Sequence, residues 1–168
     1  DPDQWNTHTP YILTSINQPG YYLDGLWWVM ILDRAGRPVW ARQTEMFYNS
    51  MHPRLSHDET SLFIDYNAHY GQFNYDLSYI VKMKIDGTVL ETYDTPGMHH
   101  DYTDTADGSL LWGAFDGSDE KLRRINPDGT IDEIWSCLNA LSQIGTSGSC
   151  GSHTLYWHEQ SDTLLFSF

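Results

Sequence analysis

Three histidines recur at a near-constant distance from a hydroxyl residue. His52 opens HPRLSHDETSLF, His100 opens HDYTDTADGSLL and His153 opens HTLYWHEQSDTLL; Ser61, Ser109 and Thr163 follow nine, nine and ten residues later. A neutral imidazole is a nucleophile, a base and a metal ligand near neutral pH. Residues at one fixed place of a structural repeat can also meet in space although about 50 residues separate them in sequence. The expectation is that His52, His100 and His153 come together at one end of a shared cavity. The competing reading is a structural histidine at the start of each repeat, bonded to a nearby carbonyl. His99 sits beside His100 and is expected on the opposite side of its strand, by the period of two. His8, His57, His69 and His158 fall outside this register and read as surface or loop residues.

A second phrase alternates with the first: ILDRAGRPV from Ile31, VKMKIDGTV from Val81 and INPDGTI from Ile125. Apolar residues at period two flank an Asp-x-x-Gly or Asp-Gly step, and Asp-Gly supplies the positive φ of tight hairpins. One unit is therefore a His-bearing strand, a turn, a Ser/Thr-Leu strand and a hairpin. Four short antiparallel strands in about 45 residues make a blade of a β-propeller. Complete units span about 50–95 and 98–136. Residues 11–46 fit the later part of an earlier blade, with GYYLDGLWWVMILD as its inner strands, and 150–168 fit the first two strands of another. The predicted fold is all-β, a single domain over 1–168 with three to four blades. A β-sandwich also has short strands and frequent turns, but its strands seldom repeat in sequence. CLNALSQIG, from Cys137, is the only stretch read as a short helical turn.

About three and a half blades do not close a ring of six to eight. The stop at Phe168 inside an expected strand reads as a piece of a longer protein, or as a chain that pairs with another copy through open strand edges.

Composition limits the partners. The 168 residues are 40% hydrophobic and 14% aromatic, which suits a packed core. Nine Lys and Arg against 23 Asp and Glu give a net charge of −14. That excludes a phosphate backbone and an anionic membrane surface as partners. An anionic small molecule needs a pocket whose local charge opposes the global field. No apolar run is long enough for a membrane span, and no signal peptide is visible. The segment LNALSQIGTSGS between Cys137 and Cys150 suits a stapled loop, which places the protein outside the cytosol; the alternative is two separate buried thiols.

MHHDYTDTADGSLLW, ILDRAGRPVWARQ, INPDGTIDEIWS and CGSHTLYWHEQSDTLLFSF resemble the repeats of bacterial arylsulfotransferases over about residues 20–168. The resemblance implies a six-bladed propeller in a periplasmic or secreted enzyme with a Cys137–Cys150 disulfide. It implies transfer of a sulfuryl group from a phenolic sulfate donor to a phenol acceptor. By position after the cysteine loop, His153 is then the nucleophile, with His52 and His100 holding sulfate oxygens. Arg54 is the nearest candidate for a counter-charge. Asp101 follows His100, and an acid there repels a sulfate. Trp112, Tyr102 and Tyr156 are candidate walls for phenol rings, or core packing. Sulfuryl transfer needs donors around the developing anionic oxygens, and a covalent histidine splits the reaction into two steps.

Three further readings stand beside this one. The first is a non-catalytic propeller module for binding or self-assembly. The second is a resemblance of ILDRAGRPVW to the tryptophan-docking repeats of pyrroloquinoline-quinone dehydrogenases. The third is calcium binding by Asp101, Asp104 and Asp107-Gly108, or by Asp116, Ser118, Asp119 and Glu120; neither string has EF-hand spacing, and solvated turn acids are the simpler account. No cofactor is otherwise implied. Arg123 and Arg124 read as solvated residues of an outer hairpin.

Overall fold

The computed structural model describes residues 10–17, 26–68, 74–151, 154–161 and 163–167. They form four antiparallel sheets that follow one another along the chain. The first contains β1 (Tyr11–Asn17), β2 (Trp27–Asp33) and β3 (Pro38–Gln43). The second contains β4 (Arg54–Leu55), β5 (Leu62–Tyr66), β6 (Tyr79–Met83) and β7 (Val89–Asp94). The third contains β8 (Met98–Asp104), β9 (Leu110–Asp116), β10 (Asp119–Ile125) and β11 (Ile131–Ser136). A short helix, α1 (Cys137–Gln143), leads to the fourth, β12 (Thr154–His158) and β13 (Thr163–Ser167). Within every sheet, strands that follow in sequence are neighbours in space. The chain is therefore all-β, with two complete four-stranded meanders at the places expected for blades. In the first sheet the expected inner-strand stretch is only partly described, because residues 20–25 lie outside the described residues; β2 lies between β1 and β3.

The hairpins close as the Asp-Gly steps predict. Gly36, Gly87 and Gly129 take φ of 75°, 93° and 84° in the β2–β3, β6–β7 and β10–β11 turns. In each turn an Asp carboxylate accepts a backbone N–H: Asp33 from Ala35, Asp86 from Thr88 and Asp128 from Thr130. These side chains do for the turn what an extra backbone bond would do.

Alternation along a strand sends successive side chains to different cores. In β5, Leu62, Ile64 and Tyr66 join Val29, Val81 and Met83 in a core between the first and second sheets. Phe63, the residue between them, joins Ile80, Tyr93, Met98, Tyr102, Leu110, Trp112 and Ala114 in a core between the second and third sheets. Leu111 turns the other way and meets Leu122 and Leu155 between the third and fourth sheets. Central strands buried on both faces read as continuous apolar runs for this reason. Face-to-face stacking of consecutive meanders is the packing of propeller blades.

Cys137 and Cys150 form a disulfide with a Cα–Cα distance of 6.1 Å. It closes the loop that carries α1. Asp119 anchors the start of that helix: it accepts from Ser136 Oγ at 2.7 Å and from the Leu138 amide at 3.0 Å. Ser136 Oγ in turn accepts from the Asn139 amide, which satisfies a donor that the helix leaves open. No helix among the described residues is long and apolar enough to cross a membrane.

Candidate functional site

The first strands of the second, third and fourth sheets face one open cavity of about 480 Å³. Its lining residues are His52, Pro53, Arg54, Leu55, His57, Thr103, Asp104, Tyr156 and Trp157. The register of each sheet shows why these side chains meet. Leu55 pairs with Leu62, Asp104 with Leu110 and Trp157 with Leu164, and each partner is the leucine that follows the repeated Ser/Thr. Arg54, Thr103 and Tyr156 pair with the next residue in each sheet. Equivalent positions of three successive first strands thus converge, and two such sets make most of the wall.

The histidines do not follow this equivalence. The turn after β4 is closed by Ser56 N–H to Ser61 O and spans one residue more than the turn after β8, closed by Thr105 N–H to Ser109 O. Equal spacing from His to Ser therefore hides a shift of one position along the strand. Arg54 stands level with Thr103, so His52 stands level with Asp101 and not with His100. His52 and Asp101 are in fact neighbours, with Nδ1 4.0 Å from Oδ1. His100 lies in a bulge of β8 between Met98 and Tyr102 and takes φ of 70°. It is not among the residues that line the cavity. Its ring meets that of His99 at 3.9 Å between centroids. The expected placement of these two rings on opposite sides of the strand is corrected by the bulge, which breaks the period of two. His99 also packs near Phe115 and Tyr75, with Nδ1 3.7 Å from Glu120 Oε1. His153, the expected nucleophile, lies outside the described residues, as do His8 and His69.

Two buried carboxylates shape the cavity. Asp65 accepts from Ser50 Oγ and from the amides of Met51 and His52, which fixes the segment leading into β4. Burial pushes its carboxyl above the usual range, and the three donors pull it back. Asp101 is 6% exposed. Its Oδ1 accepts from Arg54 Nη2 at 2.6 Å and from the Tyr102 amide at 2.8 Å, and its Oδ2 accepts from the Leu155 amide at 2.8 Å. One side chain therefore ties the first strands of three sheets. The Arg54 guanidinium also lies over the Tyr102 ring, 4.8 Å from its centroid. Arg54 is close to the histidine predicted for the site, but its charge is already engaged by Asp101.

The aromatic expectations divide. Trp112 and Tyr102 are fully buried in the core between the second and third sheets, where burial holds the Tyr102 hydroxyl well above its ordinary pKa. Tyr156 is 56% exposed and lines the cavity. Beside it stands Trp157, which sequence reasoning did not single out. The Trp157 ring lies 6.0 Å from that of His57. His57, expected at the surface or in a loop, is exposed in the turn after β4; its amide donates to Asp104 at 2.6 Å and it lines the cavity. Counting back from the leucine after each turn, rather than forward from each histidine, would have found Tyr156 and Trp157.

The acidic strings do not gather around a common point. Asp104 and Asp107 bond to the His57 amide and to Arg124, and Asp116 to Lys121 and Arg123. Arg123 also donates to Pro96 O, so both arginines of that hairpin are engaged. Among the described residues no three His, Cys, Asp or Glu side chains sit together as metal ligands.

No family model matches the chain, and no curated protein matches it. A solved structure, a protein of unknown function from Bacteroides caccae, is similar to it with a TM-score of 0.55 and 18% identity, over 85% of this chain and 48% of that one. At that identity the likeness concerns the fold alone. The chain spans about half the length of that protein.

Proposed function

We propose that this chain is an arc of a β-propeller of arylsulfotransferase type, acting outside the cytosol, and that its cavity binds a phenolic sulfate ester. One observation carries the reading: equivalent positions of three consecutive first strands line a single cavity that combines imidazole, guanidinium, indole and phenol side chains. A volume of about 480 Å³ suits a single substituted ring. Tyr156 and Trp157 offer faces for that ring, and His52 and His57 offer N–H donors for its polar group. The disulfide supports an oxidising compartment.

The nucleophile is assigned to His153 by resemblance to the family. Its imidazole nitrogen attacks sulfur, an N–S bond forms, and the ester S–O bond breaks to release a phenolate that takes up a proton. A phenol acceptor then loses its proton as its oxygen attacks sulfur and frees the imidazole. Incubation with p-nitrophenyl sulfate and a phenol is expected to release p-nitrophenol, and His153→Ala to abolish the release. An inert wild-type protein would overturn the reading.

A second reading, a non-catalytic module that assembles with copies of itself, draws on β1. Among the described residues no strand pairs with the side of β1 away from β2, and Tyr11, Ile12 and Ile16 are 58%, 43% and 48% exposed. Such an edge accepts a strand from a partner. Light scattering that reports a dimer, abolished by Ile12→Lys, would favour this reading; a monomer at all concentrations would exclude it.

A further inference from the structure

We infer that Asp101 is a positioning residue that sets the charge selectivity of the cavity: it engages Arg54 from behind and leaves recognition of an anionic group to the imidazoles of His52 and His57. The inference rests on the cavity being the ligand site of the proposed function, and it adds which charge state of that site takes an anion.

Among the described residues that line the cavity, Arg54 is the only Lys or Arg. Its side chain is 29% exposed and that of Asp101 is 7% exposed, with 2.6 Å between the charged atoms. Asp101 cannot readily turn away, because the Tyr102 and Leu155 amides hold its two oxygens. Such a pair, mostly withdrawn from water, presents little net charge to a ligand.

Apart from Lys82, the other charged groups named around the two imidazoles are acidic. Asp101 Oδ1 faces His52 at 4.0 Å, and Asp65 lies behind it, accepting the His52 amide. Asp104 accepts the His57 amide and lines the cavity, while Asp58 and Glu59 follow His57 in its own turn. Lys82 acts on Asp58 from β6. From β12 the facing groups are Tyr156 and Trp157, both neutral near pH 7. With neutral imidazoles the surroundings are therefore net negative and repel an anion. An imidazole gains its charge as pH falls from about 8 to about 5. An aromatic anion should then bind in acid and be refused in base, whereas a neutral aromatic of the same shape should be indifferent to pH.

Calorimetry on His153→Ala, which lacks the nucleophile of the proposed function, with p-nitrophenyl sulfate and neutral p-nitroanisole at about pH 5.5 and about pH 8 tests this. The His153→Ala background is expected to bind the sulfate ester about tenfold more tightly at the lower pH and p-nitroanisole equally at both. Asp101→Asn releases the Arg54 charge, so affinity for the sulfate ester at about pH 8 should rise about tenfold and the pH dependence should shrink. The double variant His52→Gln/His57→Gln keeps the test alive should Asp101→Asn fail to fold: it should lose the gain in acid. The inference is overturned if binding of the anion by the His153→Ala background is independent of pH, if neither probe binds, if folded Asp101→Asn in that background leaves affinity in base unchanged, or if the gain in acid survives there without both His52 and His57. Because the His153→Ala background binds without turnover, the expected pattern there, together with a wild-type protein that releases no nitrophenol, would sink sulfuryl transfer and leave the selectivity standing.

Discussion

Glu59 occupies a place that the repeat elsewhere gives to glycine. It follows Asp58 in the turn after β4 as Gly108 follows Asp107 in the turn after β8, and both take positive φ, 57° and 85°. A side chain with a Cβ pays about 1–2 kcal/mol for that conformation, and glycine gives back part of the relief through its freer unfolded chain. Glu59→Gly is therefore expected to raise stability by about 0.5–1 kcal/mol in urea unfolding; a loss of stability would show that Glu59 contributes a contact not visible in its turn. The preceding aspartates are held below the ordinary carboxylate value. Hydrogen bonds from Ser56 and Thr60 hold Asp58 at about 2, and those from Thr105 and Ser109 hold Asp107 at about 2. A folded-state pKa below the unfolded one contributes stability that is present above the unfolded value and lost as pH falls toward the folded one. Acid unfolding should therefore steepen between about pH 4 and about pH 2, and Asp58→Asn/Asp107→Asn should remove part of that slope. At this scale the sequence was least readable. Arg54 and Asp101 are 47 positions apart, and nothing local to either announces their contact.

Elements were more legible, because their signals are local. Asp-Gly steps dictate tight turns by backbone geometry alone, so the β6–β7 and β10–β11 hairpins follow from a few residues each. The blades followed from repetition of those hairpins. What misled was a turn of unequal length: the one-residue difference between the turns after β4 and β8 moved His52 out of step with His100, and spacing in sequence cannot reveal it. The bulge at His100 is hidden for the same reason, since a bulge is a property of two strands. Gly97, between β7 and β8, shows how closely such strands approach. Its φ is 78°, its carbonyl accepts from the Phe115 amide at 2.7 Å, and a Cβ there would lie 2.8 Å from Phe115 O. Gly97→Ala combines a strained φ with a backbone clash and should cost about 2–4 kcal/mol, visible as a lower urea midpoint. The α1 loop makes a second test. A disulfide spanning 13 residues restrains the unfolded chain by about 3 kcal/mol. Cys137→Ser/Cys150→Ser should lose that amount while the dichroism of the sheets persists, because Asp119 still anchors the helix start.

The whole molecule is a stack in which each apolar core joins two consecutive sheets. The core between the second and third sheets contains Trp112, Tyr102 and Phe63, and the core between the first and second contains six buried residues. Among the described residues, the core between the third and fourth contains Leu111, Leu122 and Leu155, with Trp135 and Leu164 partly buried against it. When each unit touches its neighbours alone, stability follows the sum of such interfaces, and the least buried interface opens first. Polar tethering supplements the described contacts of this joint, because Asp101 accepts the Leu155 amide. Native-state hydrogen exchange should therefore show lower protection in β12 and β13 than in β5 and β9, apart from the Leu155 amide itself. Leu155→Ala should lower protection in β12 and β13 by about 2–4 kcal/mol and leave β5 unchanged. Loss of protection in β5 of the same size would mean that the stack unfolds as one cooperative body. The cavity wall would then owe its shape to the whole arc, rather than to the separate docking of its fourth sheet through the Leu155 core and Asp101.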